Sequence, residues 1–310
     1  MKIAFLCPYF GNFPEHFQLL LNSCSFNKTC ERFIFTDDNT SYDVPNNVHF
    51  YYCTLQEFKD FVDKRLGFFT GLKTIRKLGD FKPCLGYIFK ELISNFDAWG
   101  HLDLNDSIYG DISKFVDDDI LSRYEKILFC GHMSIYKNNA STNSRFMTKL
   151  KSGLDYKTIL SDEKFYNFEE ISNVSIGQIY IENNFNFYNP INAFADISNK
   201  TNHFRRSYVR FKNNRLIYKM HKFSREVYLF ENGKLTRYFI KKGKVCYEEL
   251  MYIHFKRRKM LVRCDLSSKS FSILPNGFYE KFPITKDTIR KNDKLGFNFK
   301  FYLEKIKWRG

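Results

Sequence analysis

Phe96-Asp97-Ala98-Trp99-Gly100-His101-Leu102-Asp103-Leu104-Asn105-Asp106-Ser107-Ile108-Tyr109-Gly110-Asp111 reads as an apolar, strand-like run that ends in a burst of acidic and amide side chains. A carboxylate at the carboxyl end of a strand is where an open α/β sheet presents groups to a diphosphate and its metal. An acidic surface turn after a strand has the same composition, and the segment by itself leaves both readings open.

Upstream of this stretch, strand and helix signals alternate. Residues 2–9 form a short apolar run, and residues 14–24 carry Phe17, Leu20, Leu21 and Cys24 at helical spacing. Residues 32–36 predict a second strand ending at Asp37-Asp38, and residues 48–53 a third. Leu55–Leu66 predicts an amphipathic helix, and residues 82–93 another whose first turn accommodates Pro83. With strands over 97–102 and 126–129, the pattern predicts an α/β fold in which flanking helices cover a mostly parallel mixed sheet, with ligands gathering at the strands' carboxyl ends. No Gly-x-Gly-x-x-Gly follows the first strand, and no Gly-x-x-x-x-Gly-Lys-Ser/Thr loop is present, which argues against a dinucleotide dehydrogenase and a P-loop enzyme.

Beyond about Ser207 the pattern changes to short runs with hairpin punctuation. Glu231-Asn232-Gly233-Lys234 separates two apolar runs and is a strong hairpin signal; 212–215 and 241–244 punctuate similarly. The expected organisation is an α/β domain over 1–200 and a basic β-rich region over 201–310, with the Asn- and Phe-rich residues 183–200 as the crossing segment.

The 310 residues, 44% apolar and 18% aromatic, suffice for one large or two modest domains with a real core. Charge is divided unevenly: Lys and Arg number 21 against 25 Asp and Glu in residues 1–200, and 28 against 9 in residues 201–310. A basic portion of this kind serves nucleic acid, an anionic membrane surface or a phosphate-bearing substrate, and charge alone does not choose. The eight cysteines are scattered without a Cys-x-x-Cys pair, so buried free thiols are expected. No apolar run approaches the roughly 18 residues of a membrane span, and residues 1–9 are too short and weakly charged for a signal peptide. The expected location is cytoplasmic.

Ile3-Ala4-Phe5-Leu6-Cys7-Pro8-Tyr9-Phe10-Gly11, Phe35-Thr36-Asp37-Asp38, Asp80-Phe81-Lys82-Pro83, Trp99-Gly100-His101-Leu102-Asp103, Gly131-His132 and Tyr252-Ile253-His254-Phe255-Lys256 occur here in that order. In this the chain resembles the bacterial glycosyltransferase-like family of capsule and surface-polysaccharide clusters, with a nucleotide-sugar GT-A fold. The resemblance covers residues 3–260 and implies a reaction class rather than a particular sugar.

In that family the acidic turn reads Asp-x-Asp and holds a divalent cation on the donor diphosphate. Here the positions are Asp103, Leu104 and Asn105. An amide oxygen coordinates without bringing charge, so either Asp103 holds Mn²⁺ or Mg²⁺ with help from Asp106 or a distant His, or basic side chains neutralise the leaving group. The resemblance makes His254 a further metal ligand, and His101 is the nearest neutral candidate, equally readable as a core histidine. Lys256, Arg257 and Arg258 suit a departing diphosphate, or form a solvated basic turn. By the resemblance, Asp80 accepts hydrogen bonds from sugar hydroxyls and Lys82 sits near phosphate; Asp80 is also placed to cap a helix. Asp37 and Asp38 are candidates for the base or ribose, with Pro8 and Tyr9 walling that pocket.

Displacement at the anomeric carbon needs a base near the acceptor hydroxyl. Glu169 and Glu170 follow an aromatic as the resembling sequences do and are the candidates, although paired acids also suit a helix start. His132 faces the acceptor or is structural. The leading expectation is transfer from a nucleotide-sugar, a UDP-sugar for preference, with inversion, to an oligosaccharide or lipid-linked acceptor of a capsular or surface polysaccharide. Peripheral contact with the anionic inner face of the cytoplasmic membrane, through residues 294–308, accompanies it, and nucleic acid is not an expected partner. Two alternatives stand: a nucleic-acid-binding protein using the basic, aromatic residues 203–263, and an inactive sugar-binding relative, which Asn105 keeps open.

Overall fold

The computed structural model describes residues 1–197, 203–212, 215–221 and 224–292. Its strands begin with β1 (Ile3–Pro8), β2 (Cys30–Thr36), β3 (Val48–Tyr52), β4 (Ala98–Leu102), β5 (Ser107–Tyr109), β6 (Lys126–Cys130), β7 (Met133–Lys137), β8 (Phe187–Tyr188) and β9 (Phe194–Ile197). They continue with β10 (Phe204–Lys212), β11 (Arg215–Met220), β12 (Glu226–Glu231), β13 (Lys234–Lys241), β14 (Lys244–Leu250), β15 (Tyr252–His254), β16 (Leu261–Arg263), β17 (Ser270–Leu274) and β18 (Gly277–Glu280).

Ile3 to Cys7 of β1 are all buried. A strand that is apolar throughout is covered on both faces and pairs on both edges. β1 accordingly runs parallel to β2 and to β4, inside a seven-stranded sheet of order β3-β2-β1-β4-β7-β6-β8. Its first half is parallel, as the alternating signals predict. β7 is the departure: it runs antiparallel to both β4 and β6. Neither β7 nor β5 stands out in the sequence, because both follow tight turns out of strands already recognised.

A second sheet, of order β11-β10-β9-β15-β5, draws its strands from both sides of residue 200. β5 leaves the acidic turn and pairs antiparallel with β15, which runs parallel to β9. The stretch expected as a crossing segment therefore contributes β8 and β9 to two sheets. A third sheet, β14-β13-β12-β17-β18-β16, makes the C-terminal region β-rich. Its β12–β13 turn places Asn232 at φ 47° and Gly233 at φ 85°, the left-handed pair of a tight hairpin. The turn residues 213 and 214, part of the expected 212–215 punctuation, lie outside the described residues.

Helix α1 (Phe17–Cys24) packs against β5. Helix α2 (Leu55–Leu66) has the bounds the sequence predicts, since Thr54 and Glu57 form a reciprocal capping box and Gly67 closes the helix at φ 77°. The helix expected over 82–93 is instead broken into a 3-10 turn, Lys82–Cys84, and a short α-helix, Leu85–Ile88. A Cβ on Gly86 would lie 2.1 Å from the Trp99 ring, so the indole presses directly on this backbone. One hydrophobic core runs from Ile3 to Phe278 and joins all three sheets; Val227, Leu274 and Ile289 form a small satellite. The result is a mixed α/β protein with more strands than helices among the described residues.

Candidate functional site

β1 and β4 end side by side, and β15 ends opposite them because β5 carries the chain from the acidic turn to pair with it. Around these ends opens a cleft of about 890 Å³. It brings together Pro8, Tyr9, Lys82, Asp103, Asn105, His132, Glu169, Glu170, His254, Lys256 and Arg257. It also takes in Arg76, Asp106, Asp196 and Tyr218, which the sequence reading leaves out or gives no site of their own. Arg258 lies beside it, in an adjoining hollow of about 370 Å³ shared with Tyr9 and Arg257.

Across the floor of the cleft, charges alternate. Lys82 Nζ donates to Asp103 Oδ1 at 2.7 Å and to the Gly131 carbonyl at 2.8 Å. Asp103 Oδ2 lies 3.9 Å from His254 Nε2, and His254 Nδ1 lies 3.4 Å from Asp196 Oδ1. Asp196 Oδ2 holds Lys256 Nζ at 2.8 Å and also accepts the Tyr218 hydroxyl. On Lys82, Asp103, His254 and Asp196 burial opposes the charge, and the neighbours outweigh it. The Lys82 ammonium is held above its ordinary range by Asp103 and Glu169, and the His254 imidazolium by Asp196 and Asp103. In the same way Lys82 keeps the Asp103 carboxyl below its ordinary range, and His254 with Lys256 brings Asp196 down to about 2.

His132 stacks on His254 with ring centroids 4.2 Å apart, and its Nδ1 meets the Tyr252 hydroxyl at 2.9 Å. Burial, then the charge on His254, pushes the His132 imidazole well below its ordinary value, so it is neutral. His101 is buried and neutral for the same first reason, aided by Lys82 and Lys126, and packs near Tyr136. Lys256 and Arg257 both take left-handed backbone, φ 50° and 57°, which non-glycine residues rarely adopt. Two such residues in succession turn the chain sharply after β15 and return both cations to the cleft. Strain of this kind persists where surrounding structure imposes it, often at sites of function.

Glu169 and Glu170 are adjacent yet differ in environment: the first is buried and the second exposed. Glycines make the space, since a Cβ on Gly79 would sit 2.3 Å from Glu169 Oε1 and one on Gly131 would sit 2.6 Å from Glu170 Oε1. Glu169 Oε2 is buried without a hydrogen-bond partner. Burial raises its carboxyl to about 8, against the pull of the Lys82 ammonium and with a push from Glu170. Asp106, buried and close to Asp103, is raised to about 6.

Three predicted acids stand behind the cleft rather than in it. Asp80 is fully buried and accepts the Tyr166 and Phe168 backbone N–H groups at 2.9 and 2.8 Å while pairing with Lys77 at 2.9 Å. It clamps the loop that presents Glu169, so neither the helix cap nor the sugar contact expected of it is what its oxygens do. Asp37 accepts the Gly11 N–H at 2.6 Å, and Asp38 the Phe13 N–H at 2.7 Å. Both pin the loop after β1, which sets Tyr9 against Phe13 with ring centroids 4.4 Å apart. Asp38 is buried while Asp37 stays exposed, and neither lines the cleft at which the base or ribose was expected.

Asp196 is the largest omission of the sequence reading. Its signal was a lone acid inside the apolar run Phe194-Ala195-Asp196-Ile197, a position that demands a buried partner. His132, Asp196 and His254 each offer a ligand atom within 4.8 Å of the others. Among the described residues no helix is long and apolar enough to cross a membrane.

The chain belongs to a family described as Family of unknown function (DUF6625), whose model matches residues 5–282. No curated protein matches it.

Proposed function

We propose that the protein is a glycosyltransferase that moves a sugar from a nucleotide-sugar, a UDP-sugar for preference, to a surface-polysaccharide or lipid-linked glycan acceptor. The observation that carries this reading is the meeting of the acidic turn after β4 with the cationic turn after β15, in one cleft at strand carboxyl ends. The parallel run β3-β2-β1-β4 followed by the reversed β7 supports a GT-A-like fold. A diphosphate entering the cleft meets Arg76, Lys82, Lys256 and Arg257, while Tyr9 offers an aromatic face to a base.

Transfer proceeds as a single displacement. The acceptor oxygen bonds to the anomeric carbon from one side as the bond from that carbon to the diphosphate oxygen breaks on the other. The electron pair leaves with the nucleoside diphosphate, whose added charge the cationic turn meets. The hydroxyl proton passes to Glu169, a buried carboxylate with an unengaged oxygen. Glu170 is exposed and shapes the acceptor side; the neutral His132 keeps the floor at His254 in place.

For a divalent cation, the expected set Asp103, Asn105 and His254 fits in part. Asp103 Oδ1 is engaged by Lys82, which leaves Oδ2 toward His254, and Asn105 adds only an amide. An ion bound at the cleft would supply further neutralisation of the diphosphate.

A thermal-shift screen of UDP, GDP, CMP and dTDP, with and without Mn²⁺ and beside a single-stranded oligonucleotide, tests the reading. Saturation at about 100 times Kd adds about 2.7 kcal/mol of stability. One nucleotide is expected to stabilise the chain. Stabilisation by the oligonucleotide alone would favour the nucleic-acid reading, for which the basic residues 201–310 speak. Nucleotide binding with no sugar transfer or hydrolysis would favour an inactive relative.

A further inference from the structure

We infer that His132, Asp196 and His254 form a site for one divalent transition-metal ion on the cleft floor, on the far side of His254 from the Asp103–Asn105 turn. The three residues come from the β6–β7 turn and from the ends of β9 and β15, and all are buried, with 6%, 0% and 7% of their surface exposed. His254 Nδ1 is buried without a hydrogen-bond partner, and it faces Asp196 Oδ1 at 3.4 Å. That spacing is long for a hydrogen bond between these atoms. It is, however, the edge of a tetrahedron whose centre lies about 2.1 Å from each corner, the length of a metal bond to imidazole nitrogen or carboxylate oxygen.

The groups behind the three residues orient them as outer-shell partners do. The Tyr252 hydroxyl occupies His132 Nδ1, which leaves Nε2 for an ion. Lys256 and Tyr218 hold Asp196 Oδ2, which fixes Oδ1 toward His254. An ion displaces the His254 proton as it binds, and the resulting two neutral imidazoles and one carboxylate carry a net charge of −1, which the Lys256 ammonium on Oδ2 offsets while Asp103 and Asp106 line the same cleft. Imidazole favours Zn²⁺ and its late first-row neighbours such as Co²⁺ over Mg²⁺, whereas an all-oxygen turn suits Mg²⁺ and Mn²⁺. Three protein ligands leave a position open toward the cleft. The assignment stands without the glycosyltransferase reading, because it rests on the ligand set alone.

The test is calorimetric titration of the full chain, freed of metal by chelation, with Zn²⁺, Co²⁺ and Mg²⁺. One Zn²⁺ or Co²⁺ per chain is expected, at least 10-fold tighter than Mg²⁺. His132→Gln and Asp196→Asn should each weaken binding by 10-fold or more while Asn105→Ala leaves it unchanged. Binding lost in Asn105→Ala but kept in His132→Gln would return the ion to the acidic turn and overturn the site. Because Asp196→Asn also strips partners from Lys256 and Tyr218, Cu²⁺ spectroscopy of the unaltered chain gives a second readout. Coupling to two imidazole nitrogens is expected, and coupling to none would overturn the assignment.

Discussion

Glu169 gathers the most chemistry into one side chain: a buried carboxyl, an oxygen with no partner and a cleft beside it. Its carboxyl moves from the ordinary 4.5 to about 8 on folding. Between those values the folded chain keeps a proton that the unfolded chain has lost, so stability from this group is full below about 4.5 and falls as pH rises toward 8. Glu169→Gln removes that slope. Thermal melts from pH 5 to pH 8.5 are expected to show the variant gaining on the parent chain as pH rises, and parallel curves would refute the raised carboxyl. Under the proposed transfer, Glu169 as the base would impose a rising limb on the activity of the unaltered chain, and Glu169→Gln should lower kcat by roughly 10²-fold or more with donor KM little changed. The sequence offered two adjacent acids as candidates for the proposed base; burial, set by Gly79 and Gly131, separates them. Asp196 escaped notice because its partners His254, Lys256 and Tyr218 lie on other strands, and pairing across a sheet leaves no local pattern.

At the scale of elements, local chemistry was legible and register was not. Thr54, Glu57 and Gly67 announce α2, and Asn232-Gly233 announces the β12–β13 turn, because caps and turns are decided within a few residues. The close approach of Trp99 on β4 to Gly86 was hidden, since it joins two separate elements of the chain. The loop that carries Glu169 depends likewise on a distant element. Lys77 reaches the Ile159 and Lys164 carbonyls at 2.6 Å each while Asp80 holds the Tyr166 and Phe168 amides, so one buried ion pair ties a short helix to residues 159–168. Asp80→Asn keeps the shape but leaves a buried ammonium without its carboxylate and turns an amide toward an N–H donor. The expected loss is about 3 kcal/mol in urea unfolding. A loss below about 1 kcal/mol would mean that the clamp does not hold the loop.

Over the whole molecule, the alternation of strands and helices made the parallel half of the first sheet legible, and the hairpins made the β-rich C-terminal region legible. What joins them was not: the second sheet takes β5 from before residue 200 and β15 from after it, and that pairing brings the acidic and cationic turns into one cleft. The same arrangement separates two uses of positive charge. Lys82 and Lys256 pair with carboxylates inside the cleft and Arg257 lines it, where the proposed function sets them against a diphosphate. Residues 201–310 still carry a large basic excess, 28 Lys and Arg against 9 Asp and Glu, and residues 294–308 mix Lys294, Lys300, Lys305 and Lys307 with Phe297, Phe299, Phe301, Leu303, Ile306 and Trp308. That stretch lies outside the described residues, so its case rests on composition: lysine for anionic headgroups and aromatics for the interface. Each lysine near an anionic surface is worth about 1 kcal/mol. Changing the four to Gln should weaken sedimentation with phosphatidylserine-containing vesicles by roughly 100-fold or more, with neutral vesicles as the baseline. Nucleotide-induced stabilisation should be unchanged in the same variant, because the cations proposed to meet the diphosphate are Arg76, Lys82, Lys256 and Arg257. Equal vesicle binding before and after the change would leave the basic excess to the acceptor or to the cleft itself and remove the membrane surface as a partner.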